Sequence, residues 1–177
     1  MIDGDAREGF GSPTGYWEDV GPLASLCGLQ TLCLIYVEIG RGLEVLQSFK
    51  QLTTLSLYSA DLCWEQFERS GAEWLSGLTN LRKLDLGECM MGDANIVPLS
   101  QLTALTKLNL GRNYELQHVA PLACLSQLQW LGLAKCPQVV DIECIASKVE
   151  LDWDDCHDLL EWFEDACAPP HAQDQVM

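Results

Sequence analysis

The chain has 177 residues, 48% of them hydrophobic, which argues for one domain with a packed core and against global disorder. Its 26 Asp and Glu against 10 Lys and Arg give a formal charge of −16. A field of that sign repels phosphate backbones, so nucleic acid is not an expected partner.

The acid is unevenly spread. Residues 141–177 hold eleven acids and one base, Lys148, for a net of −10; residues 1–140 hold fifteen and nine, for a net of −6. No positively charged start leads into an apolar run at the N-terminus, and no apolar stretch approaches the ~20 residues of a membrane helix. None of the asparagines at 80, 95, 109 and 113 opens a glycosylation acceptor. These features point to a reducing compartment, cytoplasmic or nuclear, with no membrane partner. A secretion route that leaves no such mark would escape them.

Residues 1–15, rich in Gly, Asp and Pro, read as a flexible leader. Val20-Gly-Pro22-Leu23-x-x-Leu26 has the pattern of Val97-Pro98-Leu99-x-x-Leu102 and of Val119-Ala-Pro121-Leu122-x-x-Leu125. Residues 16–28 are therefore expected to be an N-terminal cap that closes one end of a repeated core.

Six units follow over 29–157. They start at Leu29-x-x-Leu32-x-Leu34-x-x-Val37, and Leu52-x-x-Leu55-x-Leu57-x-x-Ala60 is the second. Leu81-x-x-Leu84-x-Leu86-x-x-Cys89, Leu105-x-x-Leu108-x-Leu110-x-x-Asn113 and Leu128-x-x-Leu131-x-Leu133-x-x-Cys136 continue the series. The sixth is degenerate: Leu151-x-Trp153-x-x-Cys156, with Ile145 in place of the leading leucine. Leading leucines are 23, 29, 24 and 23 residues apart, and Leu131 to Leu151 is 20. A strand as short as L-x-L cannot bury its leucines alone, whereas stacked parallel strands share one core. Fixed recurrence with period-2 alternation does not suit a helical bundle.

The 29-residue interval carries an insert between Leu62 and Leu78, with Trp64, Phe67 and Trp74 at roughly helical intervals. It predicts a true helix where other repeats have a short turn, its aromatics packed inward. At the other end, Asp158 with Glu161 has capping-box spacing and Pro169-Pro170 is a stop. A capping helix is expected over 158–168, with a frayed tail over 169–177.

The spacing L-x-x-L-x-L-x-x-N/C followed by P-L-x-x-L, from about Val20 to Cys156, resembles the short, roughly 22-residue class of leucine-rich repeats. Internalins and leucine-rich-repeat phosphatase regulatory subunits are its familiar members. The resemblance implies an α/β solenoid, a horseshoe with about six parallel strands on its concave face, turns or short helices on the convex face, and a cap at each end. It also implies a binding platform without chemistry of its own. Only Asn113 keeps the asparagine that ties successive turns together in the family; Val37, Ala60, Cys89, Cys136 and Cys156 stand there elsewhere. A buried cysteine is a small hydrophobe with a weak donor and can replace part of that role. This assigns three of the nine cysteines to the core, and Cys27 and Cys124 share another repeat position.

No HExxH, paired CxxC or P-loop occurs, and His118, His157 and His171 converge on no nucleophile. Neither enzyme activity nor a cofactor or metal is expected. The cluster of Cys156 and His157 among Asp154, Asp155 and Asp158 reads as a solvated rim around a core cysteine.

Residues flanking the strand leucines point away from the core. One column holds Thr31, Thr54, Lys83, Lys107, Trp130 and Glu150; the next holds Cys33, Ser56, Asp85, Asn109, Gly132 and Asp152. Past the strands come Tyr58 and Asp154, then Tyr36, Glu88, Arg112 and Lys135. The face would run from an aromatic end (Ile35, Tyr36, Tyr58) through a basic centre beside Trp130 to an acidic end at Glu150, Asp152 and Asp154. Trp130, Lys107 and Arg112 are the expected centre of binding, because Trp, Tyr and Arg dominate binding hot spots.

The expectation is a monomeric protein-binding module whose concave face holds an acidic or mixed-charge segment. The alternatives are a regulatory subunit of an enzyme such as a phosphatase, and a secreted or surface adhesin or effector.

Overall fold

The structure, a computed structural model, describes residues 15–26, 28–61 and 72–153. Residues 1–14 of the leader, Cys27, the insert at 62–71 with Trp64 and Phe67, and the chain from Asp154 onward lie outside the described residues. So do the expected capping helix and tail.

Each L-x-L core forms a three-residue strand. In chain order these are β2 (Thr31–Cys33), β4 (Thr54–Ser56), β5 (Lys83–Asp85), β6 (Lys107–Asn109), β7 (Trp130–Gly132) and β8 (Glu150–Asp152). They build one parallel sheet in the order β2-β4-β5-β6-β7-β8. The central leucines align without slippage: Leu32 beside Leu55, then Leu84, Leu108, Leu131 and Leu151. The leucines from Leu55 through Leu133 at the two inward strand positions are fully buried. Each contributes about 1.5–3 kcal/mol of burial that no single strand could collect alone.

The opposite side of the coil is made of stacked short turns. Four of them, Gly21–Ser25, Leu43–Ser48, Glu73–Leu75 and Ala120–Cys124, are 3-10 turns, as is the last, Ile142–Cys144. The helix Asp93–Leu99 sits among them, between Glu73–Leu75 and Ala120–Cys124. The one α-helix among the described residues thus belongs to a repeat of ordinary length; the helix expected in the insert falls on 62–71, outside the described residues. Asn95 accounts for the Asp93–Leu99 helix locally: its side chain accepts the Gly92 N–H at 2.9 Å, tying off the first turn. Of the insert's aromatics, Trp74 is described, and it is buried. None of the described helices is long and apolar enough to cross a membrane.

A second, two-stranded parallel sheet was not foreseen. β1 (Gly15–Trp17) pairs with β3 (Val37–Ile39), and Glu38 bridges on to Asp61. Val37 and Ile39 face the core while Glu38 faces out, the alternation of a half-buried strand. The turn after β1 is fixed by Asp19, whose carboxylate accepts the Gly21 N–H at 2.7 Å and pairs with Arg41 at 3.1 Å. Gly42, at φ +91, fits there because a Cβ would lie 2.7 Å from that carboxylate.

Two further regularities hold the coil. Past the sheet, Tyr36, Ser59, Glu88, Arg112 and Lys135 occupy one repeat position and all have φ between 51 and 62. From that conformation the amides of the first four reach the next turn, as in Arg112 N–H to the Ala134 carbonyl at 2.7 Å. The left-handed region costs an ordinary residue ~1–2 kcal/mol, which these inter-turn bonds offset. The second regularity is the ladder at the N/C position. Asn113 donates to the carbonyls of Leu86 (3.0 Å) and Leu110 (2.7 Å) and accepts from the amides of Cys89 (3.2 Å) and Met91 (2.8 Å). The Cys89 thiol donates to the Leu57 carbonyl at 2.9 Å and Cys136 to that of Leu110 at 3.1 Å. Both cysteines are buried, and burial pushes both thiols up, keeping them protonated donors. In the degenerate repeat the pattern fails: Trp153, at the third leucine's place, is 48% exposed.

Asparagine and cysteine do unequal work in this ladder. In urea unfolding, Asn113→Ala is expected to lose about 3 kcal/mol or more, because two amides and two carbonyls lose their partner. Cys136→Ala should lose only about 1–2 kcal/mol.

Candidate functional site

Strand alternation delivers the expected columns to the outer face of the six-stranded sheet, and its register sets their neighbours. Lys83 lies beside Lys107, Lys107 beside Trp130, and Trp130 beside Glu150. Lys83, Lys107, Trp130 and Asp152 are half-buried, while Glu150 is exposed. Beyond the strands, Tyr36, Tyr58 and Arg112 are half-buried, with Glu88 and Lys135 exposed. Asp154 lies outside the described residues.

Two of the expected contact residues are not on the surface. Asp85 is 0% exposed and Asn109 4%. The Asp85 carboxylate accepts the Ser56 hydroxyl at 3.1 Å, the Asn109 amide at 2.9 Å and the Gly87 N–H at 3.1 Å. Asn109 in turn accepts the Gly111 N–H at 2.9 Å. Alternation does point both side chains outward. Neighbouring strands ~4.8 Å away then close over them, and Ser56, Asp85 and Asn109 become a buried polar row that binds three turns to one another. For these two residues the expectation of an exposed, partner-facing side chain is corrected.

Two rings help to cover this row, and each sits where glycine leaves room. A Cβ on Gly87 would lie 2.7 Å from Cδ2 of Tyr58 and 2.9 Å from the Asn109 amide nitrogen. One on Gly132 would lie 2.6 Å from Cη2 of Trp130 and 2.8 Å from the Asn109 side-chain oxygen. Gly87, Gly132 and Ser56 are the site residues that reading the sequence for charge and aromaticity overlooked. Their signal was glycine recurring beside the repeat leucines, which marks a close approach.

The aromatic end is a network. Tyr36 and Tyr58 meet edge to face, their ring centres 5.7 Å apart. Burial pushes the Tyr58 phenol well above its ordinary range; Arg112 pulls the other way, and Glu88 adds to the rise through its charge and a hydrogen bond. Arg112 and Glu88 are themselves 3.8 Å apart. On the opposite flank, Asp141 accepts the amides of Val119 (2.8 Å) and Ala120 (3.1 Å) and approaches His118 at 3.4 Å. Desolvation opposes it, but these donors hold its carboxyl below the usual range. Among the described residues no group of three or more His, Cys, Asp and Glu could hold a metal ion.

Parallel short strands, leucine columns and an N/C ladder define the class: the chain is a leucine-rich-repeat solenoid. Among solved structures it resembles the internalins. It matches an internalin (inlF) of Listeria monocytogenes at 26% identity, over 75% of this chain and 36% of that one, with a TM-score of 0.60. Internalin C2 of the same organism matches at 28% identity over 75% and 55%, with a TM-score of 0.62. The chain thus spans between about a third and just over half of the internalins it matches. No family model matches the sequence, and no curated protein does. The fold is one typically used for protein–protein interaction rather than catalysis.

Two measurements probe the site's construction. Asp85→Ala should destabilise the protein by about 3 kcal/mol, since the buried Gly87 amide and Asn109 side chain lose their acceptor. Tyr58 tests the network by pH. Its raised folded value means that its contribution to stability is complete below the unfolded pKa of about 10 and is lost as pH rises toward the folded value. In an alkaline titration of tyrosine absorbance, the last phase should vanish in Tyr58→Phe.

Proposed function

We propose that this chain is a non-catalytic interaction module that holds an acidic or mixed-charge segment of a protein partner on the sheet face, the concave one in this fold. The supporting observation is the row Lys83, Lys107, Trp130. Like charges directly opposite on neighbouring strands are destabilising, and a half-buried Trp lies beside them. A carboxylate-bearing partner would complement that pair of charges and pack against the ring beside it. The acidic end, with Glu150 and Asp152, would repel the same segment and so fix its direction, and would steer basic surfaces of the partner.

The buried thiols at the ladder serve as hydrogen-bond donors, which requires them reduced. This favours a reducing compartment, cytoplasmic or nuclear, as the place where the module works, and labelling of free thiols in the native source checks it.

The test of the binding face is a pull-down from a lysate of the source, comparing the intact protein with a Trp130→Ala, Lys107→Glu, Arg112→Glu variant of matched circular dichroism. A partner recovered by the intact protein and lost by the variant is expected. Equal recovery of every partner would remove the function from this face.

A further inference from the structure

One residue past the Asn/Cys ladder, a strip of side chains runs along the flank of the coil from turn to turn. The β1–β3 register sets Tyr16 beside Glu38, and the Glu38–Asp61 bridge carries the strip to the next turn. The β4–β5 register, Thr54 beside Lys83, brings Met90 next; the β5–β6 register, Lys83 beside Lys107, brings Tyr114 after it. Backbone links hold these turns together. The Ser59 amide donates to the Gly87 carbonyl at 2.8 Å, and Asn113 accepts the amides of Cys89 and Met91 on either side of Met90. Tyr16, Met90 and Tyr114 are 62%, 52% and 54% exposed. Exposed apolar residues scattered singly are ordinary, but three large ones on a single strip mark a surface.

Met90 is also strained. Among the described residues six other than glycine have positive φ; five share the repeat position just past the sheet, and Met90, at φ 53, is the sixth. Its conformation goes with the stack, since Asn113 grips the amides on both sides of it. Glycine would adopt that backbone without strain. Methionine does so at a cost, and what it adds is an adaptable apolar side chain, half of it exposed. Strain of this kind gathers at binding sites.

The charge along the strip decides its occupant. Glu38 and Asp61 lie between Tyr16 and Met90, and the exposed Glu88 and Glu115 border Met90 and Tyr114 in the chain. Arg112, on the sheet side, faces Glu88 at 3.8 Å. In a chain of net charge −16, a second copy or an anionic membrane would meet like charge here. Lys and Arg side chains complement it instead. Their heads reach carboxylates while their stems lie on apolar surface, and a tyrosine ring also attracts a cation.

We infer that this flank is a second interaction surface, which takes a basic segment of a protein partner. Lys or Arg residues meet Glu38 and Asp61, one apolar residue packs on Tyr16, and another packs on Met90 and Tyr114. The surface is separate from the sheet face, for which a segment of the opposite charge is proposed, and does not depend on it.

The test uses the full chain, labelled with 15N, at roughly 0.15 M salt, where long-range attraction is screened. Three peptides of about twelve residues carry the central sequences Leu-Lys-Arg-Lys-Leu, Ser-Lys-Arg-Lys-Ser and Leu-Glu-Asp-Glu-Leu. The first should shift the backbone amides of Glu38, Met90 and Tyr114 saturably, the second should bind at least about tenfold more weakly, and the third should leave them unmoved. Combining Met90→Gly with Tyr114→Ser should weaken the first peptide about tenfold. Met90→Gly alone should leave the urea midpoint unchanged or raise it, and Trp130→Ala should leave peptide binding intact. Equal binding of the serine peptide would mean attraction by charge alone and overturn the inference. So would shifts that fall on Glu143 and Glu150 instead of the strip, or loss of binding in Trp130→Ala. A lower midpoint for Met90→Gly would make Met90 a packing residue and overturn its part in the surface. A dimer seen in sedimentation and dissolved by Tyr114→Ser would give the strip to a second copy and overturn the basic partner.

Discussion

Where β5, β6 and β7 leave the sheet, a buried side chain reaches back to a leucine carbonyl of the turn before: Cys89 to Leu57, Asn113 to Leu86, Cys136 to Leu110. Every turn of a solenoid contacts only its neighbours, so stability is a chain of such pairwise links. Leucine burial is strong but non-directional, and by itself it would tolerate one turn sliding over another. The ladder donors, with the amides of the left-handed residues just upstream, are directional and fix the stacking. Thiols make weaker links than the Asn113 amide, which grips both flanking turns through its donor and its acceptor. The middle of the coil, around Asn113, is accordingly its best-tied part.

That rigidity allows the outer face to carry features that folding alone would not favour. Ser56, Asp85 and Asn109 make a floor of mutually satisfied polar groups, and Gly87 and Gly132 leave two hollows in it. Tyr58 and Trp130 fill those hollows from above. A fixed floor holds each ring in one place, which would lower the ordering cost of the binding proposed for this face. The side-by-side lysines spend a little of the stability gained below.

The sequence made the repeat legible because its signal is local and repeated. A leucine two residues from the next defines a strand face, and a recurrence of 20–29 residues defines the stack, so strand number and register could be read before any coordinate. The Asn/Cys position was readable for the same reason. The column assignments were right in direction for Asp85 and Asn109, since alternation does turn them outward, but wrong about exposure. Exposure depends on what the next strand carries at the same height, and here that is a ring over a glycine. The β1–β3 pairing was hidden too, because Gly15–Trp17 is a three-residue strand with no leucine in it.

Sequence alone, then, determined the parallel sheet, the turn-by-turn stacking and which residues share a column, because each follows from periodicity within one repeat. Only the tertiary structure decided which members of a column stay on the surface and how Tyr58 and Trp130 lie. Which members stay on the surface depends on contacts between turns 24 to 29 residues apart, such as those of Ser56 and Asn109 with Asp85. No pattern within a single repeat contains that information.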